Sequence, residues 1–328
     1  MSLLPTICNW YGGKQKLARQ IISIMPEHEH YVEVFMGSAA VFFNKPKVQR
    51  NCLNDINGNL VNLFIQVRDN YEELAEKVYW TLYSRQQYKA FCHIYNNNFN
   101  DCTDIERATA YLFLVRANFN SQIGTGFSAS IDSNSANFNL ALIERLKLAR
   151  QKLDGVVIEN RHFYEIIDKY DESGSLFYLD PPYWVADHEQ YYYENRFKLQ
   201  QHRTLAHHLE KCKAPWILSY DDVPEIVDMY KNFELQRLSV NYSLGKDDRT
   251  RKLSELLITN FHHKKPQLDM FDVKINVEEV DDIERNSAEQ IVQLKNEKEY
   301  QEELKQLKDD ATKPVFKQRK DSEQLNLI

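Results

Sequence analysis

The sequence predicts an α/β fold: a largely parallel sheet with helices on both faces, an antiparallel hairpin at one edge, and a helical segment inserted between strands. Three observations carry this. Short runs rich in Val, Ile, Tyr and Phe alternate with helical patterns, which is the signature of parallel strands joined through helices. The last two runs lie too close together for a helical crossover and so pair antiparallel. Between about Tyr71 and Leu153 the texture becomes helical throughout.

In chain order, the strand candidates are YVEVF (31 to 35), NCLNDI (51 to 56), VVIENR (156 to 161), LFYLD (176 to 180), WILSYD (216 to 221), ELQRLSVNYS (234 to 243) and ELLITNF (255 to 261). Asn57 to Asn70, Phe163 to Tyr170 and Leu199 to Lys211 carry the intervening helical periodicity. Residues 1–70 and 154–264 are thus expected to form one discontinuous sheet domain, with 71–153 as a helical insertion. That insertion contains a Gly/Ser/Asn loop, NSQIGTGFSASIDSNSANF. Residues 265–328 form a Glu/Lys/Gln-rich tail with no sustained heptad, expected to be flexible or helical without a fold of its own.

With 328 residues, 43% of them hydrophobic, the chain can bury a substantial core. No stretch resembles a signal peptide and no apolar run approaches the roughly 20 residues of a membrane span, so a cytoplasmic protein is expected. The five cysteines lie far apart without metal-ligand spacing, and His207-His208 and His262-His263 are neighbours that point to different faces; no metal is expected. The net charge of -7 comes from the tail: from Pro266 onward ten Lys/Arg face sixteen Asp/Glu, leaving 31 against 32 in the body. A neutral body is compatible with a local basic face, and phosphates respond to the local field.

Two strand ends carry chemistry. After YVEVF, the small residues Gly37, Ser38, Ala39 and Ala40 let a ligand approach the backbone closely, at the carboxyl end of a strand where open sheets bind ligands. Any strand-to-helix corner can look the same. One strand later, NDIN places Asp55 where an acid can accept both hydroxyls of a ribose; the dinucleotide fingerprint GxGxxG is absent. After LFYL comes Asp180-Pro181-Pro182-Tyr183. The prolines fix the turn and remove two amide donors, so Asp180 and the Pro181 carbonyl offer two acceptors to an amino group while the Tyr183 ring offers a stacking face.

NWYGGK, VEVFMGSAAVFF, NDIN, LFYLDPPYW and LSYDD, in that order across about residues 5 to 262, resemble DNA adenine N6-methyltransferases of the Dam type. The resemblance implies a Rossmann-like S-adenosylmethionine-dependent methyltransferase sheet in which the helical insertion is the target-recognition segment. It implies that Trp10, Tyr11 and Lys14 frame the cofactor pocket, with Glu33, Phe35, Gly37 and Ser38 near the methionine part and Asp55 on the ribose. It also implies that Asp180, Pro181, Pro182 and Tyr183 hold an adenine flipped out of duplex DNA, with Asp180 bordering the cofactor as well. The sequence departs from the family pattern twice. Gly37-Ser38-Ala39 replaces the usual Gly-x-Gly, so either a methyl group fits beside the cofactor or the turn avoids positive φ. His162, next to Phe163, stands where an acid commonly contacts the cofactor's adenine, and a neutral imidazole can accept that bond with one nitrogen.

DNA contacts are expected from Lys246, Arg249, Arg251 and Lys252 around the hairpin loop, as a clamp on phosphates, a solvated hairpin tip being the other reading. Arg116, Asn118 and Asn120 precede the insertion loop and have the side-chain chemistry that reads base edges. YYYENRF (191 to 197) suits either a lid or an aromatic core helix. In the tail, QLDMF (Gln267 to Phe271) resembles the peptide that bacterial replication proteins insert into the sliding clamp, although the same residues can instead cover the sheet edge. Two alternatives to adenine methylation are N4-cytosine methylation, which Asp180 in place of Ser disfavours, and a methyltransferase-like DNA-binding protein that has lost its cofactor.

Overall fold

The computed structural model describes residues 6–8, 10, 13–97, 99–118, 123, 126–127, 138–184, 197–243 and 250–262, with 239–243 and 250–254 described by their backbone. Among these residues seven strands form one sheet: β1 (His30–Glu33), β2 (Arg50–Asn54), β3 (Val157–Glu159), β4 (Ser175–Leu179), β5 (Trp216–Asp221), β6 (Glu234–Ser243) and β7 (Thr250–Thr259), in the order β3-β2-β1-β4-β5-β7-β6. β1 to β5 run parallel, and β7 pairs antiparallel with both β5 and β6. This is the largely parallel sheet that the sequence predicts, with the expected antiparallel hairpin at its edge. The strand order reverses between β1 and β4, the switch point at whose carboxyl side an open sheet leaves a crevice.

Among the described residues, ten α-helices connect and cover the strands: α1 (Ala18–Ser23), α2 (Ala40–Asn44), α3 (Gly58–Asp69), α4 (Tyr71–Trp80), α5 (Arg85–Asn97), α6 (Asp104–Ala117), α7 (Leu140–Leu153), α8 (Phe163–Tyr170), α9 (Leu199–Lys211) and α10 (Pro224–Met229). Helix α10, started by a proline at its first position, has no counterpart in the expected elements; six residues are too few to show a helical period.

Successive strand residues point to opposite faces, and the core divides accordingly. Tyr31, Leu53, Leu176, Tyr178, Ile217 and Leu257 pack on one side with α1 to α7. Val32, Cys52, Phe177, Leu179, Trp216, Leu218, Leu256 and Ile258 pack on the other with α8, α9 and α10. Because both faces are covered, β4 is buried along its whole length, which explains its uninterrupted apolar run.

Helices α4 to α7 share a single apolar core with one face of the sheet. Helix α6 is buried from Ala108 to Ala117 and largely apolar around its circumference, with the buried polar groups Thr109 and Arg116 as exceptions. A capping box fixes its start: the Thr103 hydroxyl accepts the Glu106 amide and the Glu106 carboxylate accepts the Thr103 amide.

Candidate active site

Two turns lie side by side at the carboxyl ends of neighbouring strands. After β1, the Val34 amide donates to the Tyr178 carbonyl of β4 and the Met36 amide to the Asn54 carbonyl of β2, so the chain is held to both neighbours as it leaves the sheet. It then passes through Gly37 at φ +46° and Ala39 at φ +53°. The turn therefore does not avoid positive φ; it accepts the Ala39 methyl in the left-handed region, fully buried. Gly37 is a position only glycine fits. A β-carbon there would lie 2.8 Å from Cδ1 and Nε1 of the Trp10 indole, so the ring rests directly against the bare backbone.

The Asp55 carboxylate ties this turn to the next. One oxygen accepts the Gly37 amide at 3.1 Å and the other the Asn57 amide at 2.9 Å. A carboxylate has about four lone-pair sites, so two amides leave capacity for a ligand's hydroxyls. Burial raises its pKa against the pull of these amides. Glu33 points inward instead. Its Oε2 accepts the Tyr31 hydroxyl at 2.9 Å and the Phe42 amide at 3.1 Å, in the first turn of α2. Burial pushes this carboxyl up to about 8 despite both bonds. Ser38 is buried in the turn.

Phe35 and Phe163, distant in sequence, come together with Phe197 as an aromatic group with ring centroids 5.5 to 5.8 Å apart. Phe197 was expected only as the last residue of a lid or core helix, and 191–196 lie outside the described residues. His162 is exposed ahead of α8, its ring stacked parallel on Tyr164 at 5.2 Å.

The second turn follows β4. Asp180 Oδ1 binds the Lys14 ammonium at 2.7 Å, and the same ammonium lies 3.3 Å from Oε1 of Glu255 on β7. Lys14 also sits 4.7 Å from the centroid of the Tyr183 ring, whose hydroxyl donates to Glu255. Lys14 thus reaches the DPPY turn. Pro181 is buried, and Pro182 and Tyr183 are half-buried around the carboxylate. Burial, opposed by Lys14 and helped by Glu255, pushes the Asp180 carboxyl up to about 6. The backbone turns on into Trp184, whose amide donates to Asp221 at 3.2 Å; burial raises that carboxyl to about 6 as well.

Glu255 and Asp221 escaped the sequence reading as site residues, although they face each other in the β5–β7 register. The available signal was a lone acid directly before the apolar run Leu256-Leu257-Ile258, where a buried carboxylate requires a partner.

Two expected DNA-reading residues are corrected. Arg116 is 5% exposed and its Nη1 donates to the Ile7 carbonyl at 3.0 Å. Asn118, also 5% exposed, accepts the Tyr88 hydroxyl at 2.6 Å and donates to the Leu114 carbonyl. Both are held inside the helical layer, because the end of α6 is enclosed on all sides and its polar groups must be satisfied there. Tyr11, Asn120, Lys246, Arg249 and Gln267 to Phe271 lie outside the described residues. Arg251 and Lys252 are placed by backbone register opposite Tyr242 and Asn241. Among the described residues, no group of three or more His, Cys, Asp or Glu could hold a metal ion, and no helix is long and apolar enough to cross a membrane.

Residues 10–244 match the D12 class N6 adenine-specific DNA methyltransferase family. A Type II methyltransferase of Lactococcus lactis subsp. cremoris is 26% identical over 283 residues, covering 79% of this chain and 96% of that one. A DNA adenine methylase of Haemophilus influenzae is 28% identical over 268 residues, covering 76% and 91%. One from Escherichia coli is 24% identical over 258 residues, covering 76% and 92%.

Proposed function

Given that the chain belongs to the D12 class N6 adenine-specific DNA methyltransferase family, we propose that it takes S-adenosylmethionine as methyl donor and that Asp180 receives the amine of an adenine flipped out of duplex DNA. The observation that carries this is the juxtaposition of the Gly37 turn and the Asp180 turn on adjacent strands β1 and β4, which puts a close-approach backbone beside a pair of amine acceptors.

The residues present fit the donor. Gly37 lets the Trp10 indole pack directly on the turn, which puts an aromatic face beside it, and Asp55 retains acceptor capacity for ribose hydroxyls. Phe35 and Phe163 supply an apolar wall for a purine. When bound, the donor supplies an electrophilic methyl carbon on a sulfonium.

Asp180 and the Pro181 carbonyl take the two amine hydrogens of adenine, which turns the nitrogen lone pair toward that carbon. With the donor bound, the carbon–nitrogen bond would form as the methyl carbon–sulfur bond breaks and its electron pair leaves with the thioether; the buried Asp180 carboxylate would stabilise the positive charge on the nitrogen until its surplus proton passes to solvent. With a pKa of about 6, Asp180 is mostly ionised at neutral pH and able to accept. The Tyr183 ring recovers part of the few kcal/mol, roughly, lost when the base leaves the stack.

Duplex binding falls to Arg251 and Lys252 on β7, with Lys246 and Arg249 from the sequence that precedes that strand, for phosphates. Sequence choice falls to the inserted segment 71–153, through its loop and Asn120. The decisive experiment is labelled methyl transfer to DNA by Asp180→Ala, with product nucleosides resolved by mass spectrometry. The wild type should yield N6-methyladenine and the variant at least about 100-fold less; an unchanged rate rules out the assignment of Asp180.

A further inference from the structure

The Lys14 ammonium stands between two carboxylates, closer to Asp180 (2.7 Å) than to Glu255 (3.3 Å). An ammonium in direct contact with Asp180 neutralises the carboxylate that an incoming amine must reach and repels the positive charge that transfer places on the amine nitrogen. Glu255 offers the alternative: it is 8% exposed, fixed on the rigid β7 strand, and its Oε1 already takes the Tyr183 hydroxyl as well as Lys14.

We infer that Glu255 is a positioning residue for methyl transfer, the second seat onto which Lys14 moves when the target amine takes its place on Asp180. This rests on the assignment of Asp180 as the amine acceptor. Glu255 also makes the local charge of the three groups -1 instead of zero, which favours a cationic amine, and through the Tyr183 hydroxyl it holds the ring in register with the DPPY turn. The groups facing Asp180 are Lys14 from the turn before α1, Glu33 from β1, Tyr178 on its own strand, Tyr183 from the turn, Tyr220 from β5 and Glu255 from β7; Asp221 of β5 adds its charge beside Glu255.

The test is single-turnover methylation by Glu255→Gln, which preserves volume and removes the charge. The rate should fall about tenfold at saturating DNA and cofactor, the size of effect expected for groups in one ion network. The acid limb of the pH–rate profile should move to lower pH, since Glu255 raises the Asp180 pKa. In a Lys14→Met background the same substitution should cost clearly less than in the wild type, because no ammonium then needs the second seat and only the charge and the Tyr183 contact are lost. An unmoved acid limb with an unchanged rate, or equal losses in both backgrounds, overturns the inference. Should the Gln variant fail to fold by thermal melting, Glu255→Asp is compared in the two backgrounds; its shorter arm should slow only the one that retains Lys14, and equal slowing again overturns it. Asp180→Ala run in parallel separates the two levels: an active Asp180 variant defeats the base-holding assignment, whereas an inactive one beside a fully active Glu255→Gln defeats only the role of Glu255.

Discussion

Ala39 sits at φ +53° and ψ +34°, fully buried, where a β-carbon crowds its own carbonyl. The left-handed region costs an L-residue roughly 1–2 kcal/mol, and glycine returns part of that gain as unfolded-chain entropy. Ala39→Gly is accordingly expected to stabilise the fold by about 0.5–1 kcal/mol, seen as a higher denaturant midpoint at constant slope. A midpoint at or below that of the wild type would show that the methyl contributes packing that outweighs the strain. The motif exposed this position, because Gly37-Ser38-Ala39 departs from a glycine-rich pattern. Whether the turn keeps positive φ was not legible, since sequence shows which residue bears a strain but not whether the neighbours enforce it. Glu255 was hidden for a related reason: its importance comes from Lys14, 241 positions away, and no local pattern links them.

At the scale of elements, the strands were visible because burial on both faces leaves apolar runs, and the helices because their periods are long enough to count. Helix α6 shows where such reading stops. Its last residues resemble a polar exit toward a loop, yet the helix is enclosed and Arg116 spends its guanidinium on the Ile7 carbonyl, tying the N-terminal segment to the helical layer. Arg116→Ala is expected to cost about 2–3 kcal/mol by leaving that carbonyl unpaired and removing buried packing, with the methylated sequence unchanged. Denaturation and modified-base sequencing check the two halves; altered sequence choice at wild-type stability would restore a recognition role.

The whole molecule carries an unusual load of buried acid around one crevice: Glu33, with its pKa raised to about 8, and Asp180 and Asp221, each at about 6, all chiefly by burial. A carboxyl whose folded pKa lies above its unfolded value stabilises the fold fully below the unfolded value and loses that contribution as pH rises through the folded one. For Glu33 the window runs from about pH 4.5 to about 8. Glu33→Gln, neutral at every pH, should therefore gain stability relative to the wild type across that window, with a slope approaching about 1 kcal/mol per pH unit. Melting curves from pH 5 to 8.5 measure the difference; a constant offset would mean that the buried acid does not titrate with folding. Asp180 and Asp221 thus hold their charge at the expense of stability, which fits a site whose chemistry requires an ionised Asp180.

The sequence alone determined the sheet, its antiparallel edge, the two strand-end motifs and through them the family, because strand burial and turn chemistry are written in adjacent residues. Only the tertiary structure decided which charges meet. It gave Lys14 two carboxylates, buried Arg116 and Asn118, turned Glu33 inward and brought Glu255 to Tyr183. Those outcomes depend on the distance between elements far apart in the chain, and in a low-dielectric crevice that distance governs whether a charge is free to act or already paired.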